Sequence, residues 1–524
     1  MMSGPFGDHE LKIPYQPVAE LLAKYARRDP DKTAIVDLES GTEISFGQLD
    51  RMAIDIASYL KSRGAGKGSR ILLLSDGNLE MLMIWLGAWR IGAVVCPFNL
   101  EMNEKQMVPL TATLGPALIV YHKEIDLQKM VGEHKAPRIR FGNWSPDGTK
   151  DPEDEFFAAL TPGDPATLPE RNDPMDHAAI VCTSGTTARP KIIILHHAIM
   201  WMNGLNTLEY LGLTEDDSIL EYRSFGWNSP QIVTLMPFLE KGITMHVAKR
   251  FSHSRFFEWV QKHGITFAAG VPTVINMLLN KPLGFTAKDV PTLRLMSCSS
   301  APLTAQQWTE FEAMYGLTLL TWYGMSETGW ICGNRHYQKK MGTVGPPAPH
   351  QELKIVDGSG SEVAPGVEGE ITVGGPQMAI GYVLDDGNVE PILGKRMKTG
   401  DLGVLDPDGF VRVTGRSKDL VIRGGVNIAP LEIDEILVKL PGVAEAAAVG
   451  VPDKIYGEEL VCYVVAKDKA LTEAMVLEHC RKFLPPAKTP KQVQFVSELP
   501  KSDRGKVVRD RLKEDWIARQ KVTA

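Results

Sequence analysis

Within nine residues, Thr183-Ser184-Gly185-Thr186-Thr187-Ala188-Arg189-Pro190-Lys191 carries four hydroxyls, a glycine and a closing lysine. Such a loop suits a polyphosphate: hydroxyls and backbone amides donate to non-bridging oxygens, and the ammonium offsets their charge. It follows the apolar, strand-like run Ala178-Ala179-Ile180-Val181. The G-x-x-x-x-G-K-[S/T] spacing of a Walker loop is missing. Taken alone, the stretch reads equally well as a solvated Ser/Thr turn.

Three further clusters change the odds. Thr321-Trp322-Tyr323-Gly324-Met325-Ser326-Glu327-Thr328-Gly329 sets an aromatic, a hydroxyl and a carboxylate on a glycine turn. Glu327 has the chemistry of a Mg²⁺ ligand, since that hard ion takes oxygen donors together with substrate phosphates. Ser326 could bond phosphate and Tyr323 could face a purine; alone, Glu327 would be a loop carboxylate meeting water. Thr399-Gly400-Asp401, with Gly415-Arg416, offers an acceptor carboxylate and a donor fork to a ribose diol. A turn aspartate between strands is its plainer reading. In Pro500-Lys501-Ser502-Asp503-Arg504-Gly505-Lys506, Gly505 permits a tight turn that presents Lys506 at its tip. Lys506 could there reach a carboxylate and an α-phosphate, or else be part of an exposed basic segment.

The elements that must position these clusters can be read from periodicity. From about Pro30 to Val290, strand-like runs (Ala34-Ile35-Val36, Arg70-Ile71-Leu72-Leu73-Leu74, Ala93-Val94-Val95, Ala117-Leu118-Ile119-Val120) alternate with amphipathic stretches. Between the first two, Leu49, Met52, Ala53, Ile56 and Leu60 recur at helical spacing over Phe46 to Arg63. The alternation predicts an α/β fold of mostly parallel sheets covered by helices. The stretch from Met81 to Pro97 is broken by Arg90 and Gly92, which predicts a buried helix followed by a strand. From Gly342 the texture becomes short β-rich runs between Gly, Pro and Asp turns, predicting a small antiparallel barrel or sheet. Past Gly415 mixed α and β returns: a helix from about Pro430 to Lys439, strands over Ala446–Val451 and Val461–Ala466, then a helix ending before Pro485. A chain of 524 residues exceeds one core. The expected division is 1–416, a large domain with its β-rich subdomain, and 417–524, a small α+β domain, meeting at the polar joint Arg416-Ser417-Lys418.

Composition narrows the function classes. A net charge of −7, from 57 basic and 64 acidic residues, argues against a general nucleic-acid surface. The opening residues, including Asp8, His9 and Glu10, are too polar for a secretory signal, and no apolar run reaches membrane-spanning length. Cys96, Cys182, Cys298, Cys332, Cys462 and Cys480 are scattered without a CxxC pair, as expected of reduced core thiols in a cytoplasmic protein. His196 and His197 are adjacent, so their side chains diverge and do not predict a shared metal.

In this order and at these separations the clusters resemble the adenylate-forming superfamily of acyl-CoA synthetases, peptide-synthetase adenylation domains and luciferases. The resemblance runs from roughly Phe46 to Arg509. It includes Ile44-Ser45-Phe46-Gly47-Gln48-Leu49, Gly270-Val271-Pro272-Thr273, Ser299-Ser300-Ala301-Pro302, Gly345-Pro346-Pro347 and Gly415 to Ile428. It implies that a carboxylate attacks the α-phosphate of ATP, giving acyl-AMP and pyrophosphate, and that a thiol such as that of CoA then takes the acyl group. On that resemblance, Thr183, Ser184, Gly185, Thr186, Thr187 and Lys191 hold the β and γ phosphates. Ser300, Ala301 and Pro302, with Tyr323 and Gly324, frame adenine, and Met325 belongs to the same ATP/AMP-binding set. Ser326 contacts the α-phosphate, Glu327 binds Mg²⁺, and Asp401 with Arg416 takes the ribose. Lys506, Thr187 and Glu327 are the implied catalytic residues, Lys418 the hinge of a mobile C-terminal domain, and Gly424-Gly425 the lining of a CoA tunnel. Departures are Ala188 where glycine is usual, Arg504 where a small residue is usual, and Trp227 where a histidine or another aromatic is usual.

By position, the acyl group is expected among Trp227, Asn228, Ser229, Ile232, Met296, Cys298, Trp322 and Ile331. This set is mostly apolar and has no aspartate to meet an α-amino group, which disfavours amino acids. Trp322 stands where glycine or alanine is common; lining the pocket, it would favour a compact or flat, aromatic or medium-chain acid over a long one. Packing of Trp322 in the core is the alternative. A stand-alone acid–CoA ligase is the leading expectation, because the chain ends soon after Lys506 without a carrier domain. The alternative is a free-standing enzyme loading a separate acyl carrier protein or another nucleophile. The other expected partners are a small carboxylic acid and, at most, a second copy of the chain (monomer or homodimer). The terminus Lys521-Val522-Thr523-Ala524 is unlike a peroxisomal signal.

Overall fold

The computed structural model of the chain describes residues 15–168, 172–183, 190–468, 470–502 and 505–523. Its apolar strand runs pair into two eight-stranded sheets. In the first, Arg70–Leu74 lies parallel between Val94–Pro97 and Leu118–His122, with His177–Cys182 and Arg138–Phe141 outside them. In the second, Ser218–Glu221 lies parallel between Thr244–Val247 and Phe267–Ala268, and the sheet continues through Leu295–Cys298 to Thr318–Met325. Antiparallel pairs occur toward the sheet ends. Parallel strands covered on both faces need apolar side chains throughout, which is why these runs read as continuous rather than alternating.

One core cluster joins both sheets through helices Phe46–Ser62, Leu79–Arg90 and His197–Leu211. The first begins at a reciprocal cap, Ser45 accepting from Gln48 N while the Gln48 side chain accepts from Ser45 N. The second begins at Asn78, whose side chain accepts from Met81 N at 3.0 Å. The two cross at Gly87, where a Cβ would run into Ile56. A second core lies on the opposite face of the second sheet, under helices Phe256–His263, Pro272–Asn280 and Ala305–Tyr315.

A four-stranded antiparallel sheet follows: Glu352–Val356, Gly369–Gly374, Met397–Leu405 and Val411–Arg416. The β-rich texture beyond Gly342 predicts one antiparallel unit, but one hairpin departs from it. Gly381–Val383 pairs antiparallel with Ile192–His196 and extends the first large sheet, with Tyr382 opposite Ile193. After the turn Ser417–Asp419, the remaining strands form a separate five-stranded sheet with its own core. There Asp434 accepts from Ala448 N and pairs with Arg509, tying two helices to the sheet. Among the described residues no helix is long and apolar enough to cross a membrane, and all six cysteines are free and buried.

Candidate active site

Both ends of the Ser/Thr-rich loop are fixed by antiparallel neighbours, because Thr183 ends His177–Cys182 and Lys191 precedes Ile192–His196. Across its base Lys191 N donates to Thr183 Oγ1 (3.0 Å) and Thr183 N donates to Lys191 O (2.9 Å). Ser184, Gly185, Thr186, Thr187, Ala188 and Arg189 lie outside the described residues. The Lys191 ammonium stands 4.4 Å from the centre of the Tyr382 ring.

Thr318–Met325 pairs antiparallel with Gly329–Gly333, so Ser326, Glu327 and Thr328 form the connecting turn. Glu327 is only 6 % exposed. Its Oε1 accepts from Tyr382 Oη at 2.9 Å, and its carbonyl accepts from Ala379 N at 2.7 Å. Burial, and then Glu327 itself, push the Tyr382 phenol above its ordinary range, so it stays a donor at neutral pH. Two buried amides brace the turn from behind. Asn203 Nδ2 donates to Thr328 O (3.1 Å) and its Oδ1 accepts from Trp330 N (2.7 Å). Gln377 Nε2 reaches Thr328 O (3.0 Å) and Trp330 O (2.6 Å).

Asp401 and Arg416 face each other in register on the antiparallel sheet. Arg416 Nε donates to Asp401 Oδ1 (2.7 Å) and Tyr323 Oη to Asp401 Oδ2 (2.6 Å). Burial opposes the Arg416 charge, but Asp401 beside it outweighs that and holds the guanidinium above its ordinary value. Burial and the Asp401 carboxylate raise the Tyr323 phenol. A carboxylate has about four acceptor sites, so these two partners leave capacity for a diol. Gly324 and Met325 follow Tyr323 across a bulge in the same strand.

Ser300 lies in the connection after Leu295–Cys298 and has φ 76°, the one non-glycine positive φ among the described residues. Backbone of that kind costs of order 1–3 kcal/mol and clusters at ligand sites. Ala301 and Pro302 continue the loop, and Ser299 N donates to Gly270 O, joining it to Gly270-Val271-Pro272-Thr273. Lys506 is carried by a turn in which Ser502 N donates to Lys506 O (2.8 Å) and Gly505 N to Ser502 O (2.8 Å). Gly505 has φ 73°, and a Cβ there would strike Thr273 Oγ1. The lysine turn therefore lies against the Gly270–Thr273 segment of the large domain; Asp503 and Arg504 lie outside the described residues. Lys418 sits within the turn Ser417–Asp419. Gly424 (φ 57°) and Gly425 (φ 85°) form the tip of the hairpin Val421–Arg423/Val426–Ile428. A Cβ at Gly424 would meet the Tyr456 ring, and one at Gly425 would meet open space.

The eight expected acyl-pocket residues do not form one wall. Trp322 is 3 % exposed, donates its indole N–H to Asn334 O (2.9 Å), and packs edge-on to Trp330 with Tyr210 and Phe267 nearby. It belongs to the core between the sheets, as does Ile232. Met296 and Cys298 point into the core on the opposite face, since alternate strand residues share a face and these two have the parity of Leu319. Ile331 packs beneath the antiparallel sheet with Ile371 and Val373. Trp227, Asn228 and Ser229 open the short helix Asn228–Pro230. There Ser229 Oγ accepts from Arg223 Nη1 (2.9 Å), and Arg223 is paired with buried Glu221 (2.6 Å). Sequence reasoning missed that ion pair, along with Tyr382, Asn203 and Gln377.

Among the described residues no group of three His, Cys, Asp or Glu side chains could hold a metal. His196 has both ring nitrogens engaged, with Ile199 N and Met378 O, and burial lowers its pKa to about 4. Glu327 does fit a magnesium ion that draws its other ligands from substrate phosphates: it is a buried carboxylate with one oxygen oriented by a phenol.

Comparison with known proteins identifies the family. The family described as AMP-binding enzyme matches residues 22–383, and its C-terminal domain matches 432–506. A sulfoacetate–CoA ligase of Cupriavidus necator is 32% identical, covering 95% of this chain and 97% of its own. An indoleacetate–CoA ligase of Aromatoleum aromaticum is 30% identical, with 94% and 97% covered. The crystal structure of ATP-bound MatB from Rhodopseudomonas palustris superposes with a TM-score of 0.84 at 30% identity, covering 95% of this chain and 99% of that one. With its motifs in order, its fold matched along nearly its whole length and both family domains present, the chain belongs to the AMP-binding enzymes, the adenylate-forming superfamily.

Proposed function

We propose that this enzyme is an ATP-dependent ligase that joins a compact carboxylic acid to CoA in two steps. The acid's carboxylate oxygen attacks the α-phosphorus of ATP, a P–O bond forms, and pyrophosphate leaves. The CoA thiolate then attacks the acyl carbon of the acyl-AMP, forming the thioester and releasing AMP. Asp401 accepts the ribose hydroxyls while Arg416 fixes its orientation. Tyr323 and the strained Ser300-Ala301-Pro302 loop frame the base, and Ser326 takes the α-phosphate. Thr183 to Lys191 hold the outer phosphates, with Thr187 donating to the phosphate oxygens as they separate. Glu327 would hold a magnesium ion, which would supply charge neutralisation on those oxygens. Lys506 bridges the attacking carboxylate and the α-phosphate. Residues 1–416 bind nucleotide and acid, and 417–524 carry the lysine; Lys418 is the hinge, and Gly424-Gly425 serve the thiol arm.

The observation that carries this reading is convergence on one tyrosine. The cation closing the phosphate loop and the buried turn carboxylate, 136 positions apart in the sequence (327 − 191), both contact Tyr382. Relatives acting on sulfoacetate and indoleacetate support a compact acid, and the free buried thiols support a reducing, cytoplasmic setting. The test is a panel of small acids with ATP and either CoA or an acyl carrier protein. AMP, pyrophosphate and acyl-CoA should appear in equal amounts for at least one acid. ADP release, or loading of the carrier but never CoA, would refute the reading.

A further inference from the structure

Tyr382 is a residue that neither the motifs nor the comparisons assign to the site, and its surroundings are unusually specific. It arrives from outside the antiparallel unit, on the short strand Gly381–Val383 that pairs with Ile192–His196 directly after Lys191. That pairing fixes Tyr382 opposite Ile193, two residues past the phosphate-loop lysine. Its ring lies under the Lys191 ammonium at 4.4 Å, and its hydroxyl donates to Glu327 Oε1 at 2.9 Å. The same segment also supplies Ala379 N to the Glu327 carbonyl and Gln377 to the Thr328 carbonyl. The backbone of the Glu327 turn and one oxygen of its carboxylate are therefore held from one side by one stretch of chain.

We infer that Tyr382 is a positioning residue that aims Glu327 at the metal on the ATP phosphates and parks Lys191 beside it. The inference rests on the ligase reading above. A carboxylate with one oxygen tied to a phenol presents the other in a fixed direction, which is how an outer partner orients a metal ligand and raises its affinity. The aromatic face attracts an ammonium without neutralising it, so Lys191 keeps its full charge for phosphate. The hydroxyl thus serves the metal and the ring serves the lysine, and substitution can separate the two.

Titration calorimetry with ATP, with and without Mg²⁺, reads the two roles apart. Tyr382→Phe keeps the ring and should weaken Mg·ATP binding about tenfold, leaving metal-free ATP and the KM for the acid within twofold of wild type. Tyr382→Leu should weaken metal-free ATP as well. In a Glu327→Gln background, Tyr382→Phe should cost nothing further. Equal losses with and without metal, no loss at all, or a lowered melting temperature for Tyr382→Phe would each overturn the positioning role. A wild-type protein that binds no ATP in either condition would instead sink the ligase reading, and this inference with it.

Discussion

An ammonium on a glycine turn contributes most where negative charge gathers during a reaction. Around the α-phosphorus of ATP, the attacking carboxylate and the phosphoryl oxygens bring such charge together, and a preorganised cation stabilises it without the reorganisation that water would need. Lys506 is presented in this way, because Gly505 has φ 73° and lies so close to Thr273 that no side chain fits between them. Lys506→Ala should lower adenylation, read by pyrophosphate exchange, by on the order of 10²–10³, roughly 3–4 kcal/mol. Thioester formation from supplied acyl-AMP should stay within a few-fold of wild type. If both half-reactions fell together, Lys506 would be a structural residue rather than the adenylation cation.

Helix Leu79–Arg90 shows how an element deep in the fold can carry a titration of its own. Glu80 in its first turn is 7 % exposed and accepts from Trp144 N at 2.8 Å. Burial pushes its carboxyl up to about 7, the Trp144 bond working against that and Asp37 adding to it. In the unfolded chain the carboxyl releases its proton near 4.5. Between those two values the folded state binds the extra proton, so stability falls as pH rises through the window and levels off above it. Glu80→Gln removes the titration. Its denaturation midpoint relative to wild type should be unchanged near pH 4, rise from about pH 4.5 to 7, and then plateau, the gap reaching on the order of 2–3 kcal/mol. A difference constant across pH would refute it. Elements of this kind were legible because apolar spacing is local: the helix expected over Phe46 to Arg63 spans Phe46–Ser62, and the stretch broken at Arg90 and Gly92 is helix Leu79–Arg90 followed by strand Val94–Pro97. Asp401 and Arg416, singled out in the sequence for their chemistry, stand opposite each other because a short turn joins their two strands. What escaped was non-local. The return of Gly381–Val383 to the first sheet, which delivers Tyr382, leaves no trace in local pattern. Position along the chain also carries no strand parity, which sends Met296 and Cys298 to the face opposite Trp322.

At the scale of the whole molecule, the small C-terminal unit has its own core and joins the large domain through the turn Ser417–Asp419. The strand before that turn is held through Arg416 by its pairing with Asp401, so any rotation must begin after Arg416. In this structure the Lys506 turn rests on Thr273, while at the hairpin tip a Cβ on Gly424 would meet Tyr456 and one on Gly425 open space. If the lysine serves the first half-reaction and the glycine hairpin the second, both at one nucleotide, the unit must turn about Lys418 between them. Proline at 418 would fix φ there and push Ser417 toward extended backbone. Lys418→Pro should then leave pyrophosphate exchange within a few-fold, yet slow acyl-CoA formation by on the order of 10²-fold, roughly 3 kcal/mol. Acyl-AMP should accumulate on the enzyme, visible by rapid quench and chromatography. Normal ligation by this variant would mean that the two half-reactions share one arrangement of the domains, and that the thiol reaches the acyl-AMP without the glycine hairpin.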